Sequence, residues 1–372
     1  MSRIVLAMSG GVDSSVAAHL LLRGGHEVIG VFMRHGEPVF EACRAERDAG
    51  DSTLPVLHAR TSAKQGCCSA SDAEDARRVA DRLNIPFYAL DLQADFRNVI
   101  DYFVAEYSSG RTPNPCVMCN NWIKFGRLFD YASSVGAEFV ATGHYARLIS
   151  RPGERTPALC AGIDATKDQS YVLFGVQREQ LARMLLPVGE FRKTQIREMA
   201  AELLLPVAEK HDSQEICFVS PGQHAAFVRS RLGPCERAGE IVTTDGRVVG
   251  RHDGIEGFTI GQRRGLGVAL GGRRFVVRIE AETRRVIIGD REELSRHELT
   301  ACRTNWLADP PSGSFRCEAK IRYNARPAGA TAELVEGERL RVRFDQPCFG
   351  VAPGQAVVCY DGPRVLGGGW IE

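Results

Sequence analysis

The chain has 372 residues, too many for one ordinary domain, so two or three are expected. A hydrophobic content of 44% with 25% charged residues is that of a water-soluble globular protein. No apolar run approaches the ~20 residues that cross a bilayer. The formal net charge of +1 shows no bulk basic excess of the kind that announces a nucleic-acid partner.

Ile4 to Met8 reads as a buried strand. As an apolar stretch it is too short for a signal-peptide core, which points to the cytoplasm. Ser14 to Arg23 has Val16, Ala17, Leu20 and Leu21 on one helical face and stops at Gly24-Gly25. Glu27 to Met33 is the next strand. A polar stretch from Arg34 to about Gly66 is longer than most loops and reads as a lid or insertion. Ser71-Asp72-Ala73-Glu74 has the pattern of a capping box, opening a helix to about Leu83. A strand from Pro86 to Leu92 follows, then a helix whose face carries Phe96, Val99, Ile100, Phe103, Val104 and Tyr107. Gly110 to Asn121 reads as a loop, Ile123 to Val135 as a helix, Glu138 to Thr142 as a strand, and helices are expected on to about Lys210. Alternating strands and helices predict a parallel sheet covered on both faces.

After Asp212 helices become scarce. Short alternating runs appear at Phe275 to Ile279, Arg285 to Ile288, Ala319 to Tyr323, Leu340 to Phe344 and Ala356 to Tyr360. They predict one or two small β domains. Arg263, Arg264, Arg273, Arg274, Arg278, Arg284 and Arg285 face only Glu280 and Glu282 within their stretch. Such a stripe can bind phosphates or serve as a solvated face.

Ser9-Gly10-Gly11-Val12-Asp13-Ser14-Ser15 lies between the first strand and the first helix. Glycines let backbone approach a polyphosphate, and a helix N-terminus offers unpaired N–H groups to anionic oxygens. Serine hydroxyls add donors, and Asp13 could position Mg2+ or cap the helix. Without Gly-Lys-Ser/Thr this is not a Walker A loop. The hexapeptide resembles the nucleotide loop of the PP-loop ATP pyrophosphatases, whose members cleave ATP between the α and β phosphates.

Two further segments choose among such enzymes. One is Gly110-Arg111-Thr112-Pro113-Asn114-Pro115-Cys116-Val117-Met118-Cys119-Asn120-Asn121-Trp122-Ile123-Lys124-Phe125, and the other Asp212-Ser213-Gln214-Glu215-Ile216-Cys217-Phe218. With Ala141-Thr142-Gly143-His144-Tyr145, Lys167-Asp168-Gln169-Ser170-Tyr171, Ile321-Arg322-Tyr323-Asn324 and Ala352-Pro353-Gly354-Gln355, the chain closely resembles the bacterial tRNA-specific 2-thiouridylase family from end to end.

The resemblance implies an α/β protein with an N-terminal PP-loop domain (residues 1–212) resembling the adenine nucleotide α hydrolases. A small central tRNA-binding domain (213–285) and a C-terminal β-barrel-like domain (286–372) would follow. It implies ATP-dependent thiolation of the wobble uridine in tRNAs for Lys, Glu and Gln. The C2 oxygen would be adenylated, then displaced by sulfur. Cys217 matches the persulfide-carrying cysteine, and Cys119 the thiol that releases the sulfur and leaves a Cys119–Cys217 disulfide. Ala7, Met8, Ser9, Gly10, Gly11, Val12, Asp13, Ser14, Met33 and Gly143 would hold ATP with Mg2+. Asn114, Pro115 and Cys116 would face the target base, Lys167, Asp168 and Gln169 the tRNA, and His144 would lie beside the active site. Arg322, Tyr323 and Gln355 would touch tRNA from the C-terminal domain.

The expected partners are the anticodon stem-loop of tRNA and a persulfide donor such as a cysteine desulfurase or relay protein, with no membrane partner. Many family members carry Asp where this chain has Cys116. Cys116, Cys119 and Cys217 could instead hold a [4Fe–4S] cluster with one iron open to hydrosulfide, so persulfide and cluster chemistry both stand. A small-molecule ligase or amidotransferase of the same superfamily, and a non-catalytic tRNA- or iron–sulfur-binding protein, are the alternatives. Cys67 and Cys68 read as helix-flanking structural residues; Cys43, Cys160, Cys235, Cys302, Cys317, Cys348 and Cys359 read as core.

Overall fold

In strand β1 (Arg3–Ala7) the side chains alternate between two buried clusters, Ile4 and Leu6 in one and Val5 and Ala7 in the other. A strand buried on both faces belongs inside a parallel sheet covered by helices. The computed structural model describes residues 1–35, 69–212, 216–234, 236–335 and 338–372. Most of the polar stretch up to Gly66, with Cys43, Cys67, Cys68, Ser213 to Glu215 and Cys235, lies outside the described residues.

Helix α1 (Val12–Arg23) leads to β2 (Glu27–Arg34), and α2 (Ala70–Leu83) to β3 (Phe87–Asp91). Helices α3 (Gln93–Ser108), α4 (Pro115–Met118) and α5 (Leu128–Ser134) precede β4 (Phe139–Ala141). Then come β5 (Ala146–Ile149), β6 (Ala158–Ala161), β7 (Met184–Leu185), α6 (Lys193–Glu202) and α7 (His224–Leu232). The first sheet has the order β3-β2-β1-β4-β7 and is parallel throughout. Val16 of α1, Val79 of α2 and Ile196 of α6 pack on one face. Phe96 and Phe103 of α3 and Leu128 of α5 pack on the other.

Four expectations are corrected. The capping box that opens α2 is Ser69 with Asp72, two residues before the expected one: Asp72 N donates to Ser69 Oγ, and Ser69 N to Asp72 Oδ2. The loop from Gly110 ends at Asn114, whose side chain accepts from Val117 N and caps α4. Helices do not run on to Lys210, because β5 and β6 form a hairpin joined through Cys160 to the C-terminal sheet. Ile321 to Tyr323 lie beyond the strand that holds Ala319.

A small central sheet follows, with β8 (Gly239–Thr243), β9 (Val248–His252), β10 (Phe275–Glu280) and β11 (Arg285–Gly289) in the order β10-β11-β8-β9 around Ile241, Val276, Val286 and Ile288. The arginine stripe lies here, partly neutralised: Arg274 pairs with Asp290, Arg278 with Glu280 and Arg285 with Glu240.

The last layer comprises β12 (Ser295–Trp306), β13 (Ser314–Lys320), β14 (Ala328–Val335), β15 (Arg339–Phe349), β16 (Ala356–Asp361) and β17 (Arg364–Ile371). Their order is β12-β15-β14-β13-β16-β17, and β12 also pairs with β17, which closes the barrel. Ala301, Ala330, Leu340, Val357 and Cys359 fill it. The architecture is the expected one: a parallel-sheet α/β domain, a small central domain and a β-barrel.

Candidate functional site

The sheet order reverses between β1 and β4, and such a switch point opens a crevice at the carboxyl ends of the strands. Ala7 and Met8 end β1, Met33 lies near the end of β2, and Gly143 follows β4 at this crevice. Gly10 has φ +70, and a Cβ there would run into the backbone of Asp72. The loop braces itself: Ser9 N donates to Ser14 Oγ at 3.2 Å, and Ser15 Oγ donates to Gly11 O at 2.8 Å. Gly11 occupies the N-cap of α1 and offers no side chain to cap it, so among the described residues the helix start presents its N–H groups at the crevice. A Cβ on Gly143 would lie 2.8 Å from Ser14 N, so only glycine lets the β4 end lie against the loop.

Asp13 does not cap the helix. Its carboxylate accepts from Lys193 Nζ at 2.8 and 2.9 Å and from Tyr145 Oη at 2.6 Å. The Tyr145 phenol is held far above its ordinary pKa by burial and by the Asp13 charge. Lys193 also reaches Asp212 at 2.8 Å, and Asp212 takes Lys167 at 2.8 Å and Arg197 at 3.0 Å. Burial pushes the Asp212 carboxyl up, but hydrogen bonds from Lys167 and Lys193 outweigh it and hold the pKa at about 2. Lys210 donates to Gly10 O and to the carboxylates of Asp72 and Asp75. Lys193 and Lys210 were not anticipated. Lys193 left one signal: a cation in the first turn of a helix opposes the helix dipole and so needs an anion nearby.

Cys217 is half-buried, and described residues before and after it are held in place. Upstream, Asp212 is tied through Lys193 to Asp13 of the loop. Downstream, Phe218 packs edge-on to Phe96 at 5.5 Å, and Phe96 stacks on His35, just past the end of β2, at 4.1 Å. Cys119 is also half-buried and packs against the same core as Cys217. It opens a π-helical stretch, Cys119–Arg127. The buried Asn120 side chain anchors that stretch by donating to Val172 O at 3.0 Å. His144 lies 6.1 Å from Phe125 of this stretch, and its Nδ1 is 2.7 Å from Thr142 Oγ1. Burial, helped by the charge of Lys124, keeps the His144 imidazole well below its ordinary pKa and therefore neutral.

Pro115 is buried and Cys116 exposed at the head of α4. The barrel holds the loop before them, for Gln355 Nε2 donates to Thr112 O at 3.1 Å and Pro113 O at 2.9 Å, and Thr112 N donates to Pro353 O. Gln169 accepts from Tyr145 N, and Asp168 accepts from Gly162 N and Ser170 N. Arg322 donates to Ile260 O and Gly350 O, joining central domain and barrel, while Tyr323 is 37% exposed. The residues expected to hold ATP thus share one crevice, whereas Asn114, Gln355 and Arg322 are engaged in holding loops and domains together. Cys160, Cys317 and Cys359 are buried as expected, but Cys302 and Cys348 are only half-buried.

Among the described residues no three His, Cys, Asp or Glu side chains are grouped to hold a metal ion. The Asp13 side chain keeps 30% exposure beside the loop, and its carboxylate is of the donor type that suits a Mg2+ arriving with a triphosphate, with both oxygens held by Lys193 in this structure. No helix among the described residues is long and apolar enough to cross a membrane.

Three family profiles match the chain: the tRNA methyl transferase HUP domain over residues 2–221, the tRNA methyl transferase PRC-barrel domain over 225–290 and the aminomethyltransferase beta-barrel domain over 296–371. The chain is 58% identical to the tRNA-specific 2-thiouridylase MnmA of Rhodopirellula baltica, over 100% of this chain and 96% of that one. It is 46% identical to the enzyme of the same name from Moorella thermoacetica, over 99% of each. With that from Carboxydothermus hydrogenoformans it shares 44%, over 100% of this chain and 97% of the other.

Proposed function

The chain belongs to the tRNA-specific 2-thiouridylase family, and on that premise we propose that it uses ATP to exchange the C2 oxygen of the wobble uridine in tRNA for sulfur. The observation that supports this reading is that Asp212, upstream of Cys217, is tied through Lys193 to the nucleotide loop, while Phe218, next to Cys217, packs on Phe96 beside the end of β2. A nucleotide loop and a thiol held to one crevice suit a reaction that first activates an oxygen and then displaces it. Methyl transfer, named in two of the profile descriptions, has no use for such a pair.

ATP would lie along Ala7 to Ser14, Met33 and Gly143, and Asp13 would hold Mg2+, which would neutralise phosphate charge. The uridine O2 attacks the α-phosphate and pyrophosphate leaves, turning a poor leaving group into AMP. The terminal sulfur of a Cys217 persulfide attacks C2 and AMP departs with its bonding electrons. The Cys119 thiolate then attacks Cys217 Sγ, so that the C2-bound sulfur leaves as 2-thiouridine and a Cys119–Cys217 disulfide remains for an external reductant. Neutral His144 adds no charge beside the AMP leaving group. Asn114, Pro115 and Cys116 border the base; Lys167, Asp168, Gln169, Arg322, Tyr323 and Gln355 form or hold the tRNA surface. The labour divides along the units 1–212, 213–285 and 286–372, with β11 moving with the central sheet. The base must leave its stack to be reached. The sulfur donor is a persulfide-bearing protein.

AMP and pyrophosphate should appear only with unmodified tRNA, and nucleoside analysis should find 2-thiouridine. Thiolation without ATP would rule the reading out. Cys217→Ser should abolish thiolation and leave tRNA binding intact. Iron-free protein should thiolate fully with a persulfide donor; activity that requires iron and dies in Cys116→Ala would replace the persulfide route with cluster chemistry.

A further inference from the structure

Lys320 ends β13 at the seam between the barrel and the catalytic layer, with its side chain only 10% exposed. The ammonium stands 5.7 Å from the ring centroid of Tyr171 and 5.6 Å from that of Tyr323. Asp168 Oδ2 is 4.0 Å away, beyond hydrogen-bond reach. That carboxylate is already supplied with donors: Gly162 N at 3.1 Å, Ser170 N at 3.0 Å and Ser170 Oγ at 3.0 Å. No described residue accepts a hydrogen bond from the Lys320 ammonium.

An ammonium largely withdrawn from water, with a carboxylate at the limit of ion-pair range and no hydrogen-bond acceptor among the described residues, is costly and keeps donors for a ligand at its exposed edge. Two aromatic faces soften the cost by cation–π attraction while consuming none of the N–H groups. Burial accordingly lowers the Lys320 pKa, opposed by Asp168. Tyr323 is 37% exposed and its ring lies 6.4 Å from that of Tyr171, whose hydroxyl donates to Ala356 O, next to the Gln355 that holds the loop before Cys116. Lys320 thus stands beside an exposed tyrosine at the seam where the barrel holds that loop.

We propose that Lys320 is a substrate-contacting residue, whose ammonium donates to an oxygen of the RNA nucleotide that lies against Tyr323. The inference rests on the tRNA-thiolation reading and names one of its specificity contacts. A uracil carbonyl and a backbone phosphate offer the same chemistry to an ammonium, so the experiment separates them.

Full-length Lys320→Met and Lys320→Arg are compared with the wild type for tRNA binding by filter retention across a salt series, alongside thermal unfolding. The Met variant should bind about tenfold more weakly or worse, as for loss of a charge-assisted hydrogen bond, and Arg should restore part of the loss. With a phosphate partner, the Met variant's slope of log K against log salt should fall in magnitude by about one. With a base carbonyl the slope stays, and the preference for uridine over cytidine at the target position is lost. A Met variant that folds and binds as tightly as wild type overturns the proposal. If that variant unfolds early, lysine acylation of the wild-type chain decides: tRNA should suppress labelling of Lys320, and undiminished labelling overturns the contact. Wild-type protein that binds tRNA without thiolating it would sink the functional reading instead and leave the Lys320 contact to stand on its own data.

Discussion

Lys193→Met tests the ion network that joins the nucleotide loop to the Cys217 segment. Methionine keeps the methylene packing and removes only the charge that Asp13 and Asp212 share at 2.8 Å. Asp212 moves from an ordinary 3.8 to about 2, which corresponds to ~2 kcal/mol of linkage if fully desolvated. Its partial contact with solvent and its remaining partners, Lys167 and Arg197, reduce the share lost with Lys193 to about 1 kcal/mol. That corresponds to a fall of roughly 2–4 °C in the unfolding of the catalytic domain. The sign follows from the depressed carboxylate: its stabilisation is fully present above the unfolded pKa near 3.8 and disappears as the pH falls through about 2. Urea unfolding should therefore show a constant gap between variant and wild type at neutral pH and down to about pH 5, narrowing below about pH 4. A gap that persists unchanged in acid would mean that packing, not charge, holds the network; no gap at neutral pH would refute the reasoning altogether.

Gly143→Ala places a Cβ 2.8 Å from Ser14 N and 2.9 Å from the Asp13 carbonyl carbon, so ATP affinity measured by calorimetry should fall at least about tenfold while tRNA binding holds. His144, kept neutral by burial, stabilises the fold above its unfolded pKa near 6.5, and that contribution is lost as the pH drops below it. His144→Gln, which can retain the bond to Thr142, should flatten the stability slope between about pH 7 and 5.5; an unchanged slope would assign it elsewhere. Gln355→Ala removes two hydrogen bonds to the loop before Cys116 and should cost about 1–2 kcal/mol, read as faster proteolysis at Thr112 and Pro113.

The parts of the site legible in the sequence are those whose signal is local. Gly10 must take a positive φ between a strand and a helix, and that requirement is written in adjacent residues. The parallel sheet followed from runs buried on both faces, as in β1. The misplaced cap of α2 shows the limit of local reading: Ser69 and Ser71 both precede acidic residues, and Asp72 chooses Ser69 because its own side chain can return to that backbone N–H. The β5–β6 hairpin was missed because what makes it sheet is β17, some two hundred residues onward. Lys193 escaped for the same reason, since Asp13 and Asp212 give it meaning only after folding.

Gln355 changes how the resemblance itself should be read. Its family match suggested a residue facing tRNA, yet its amide is spent on Thr112 and Pro113. Arg322 likewise spends its guanidinium on the carbonyls of Ile260 and Gly350. A residue that fastens a substrate-bordering loop answers the same functional requirement as one that touches substrate, because a loosened loop misplaces every group on it. The barrel then does more than the expected tRNA contacts would require. Through Gln355 and Pro353 it sets the position of Asn114, whose side chain caps α4, and α4 in turn presents Cys116 and leads into the turn that begins at Cys119. On the proposed chemistry the reacting groups belong to the N-terminal domain, while the loop that leads to Cys119 is fastened by the C-terminal one.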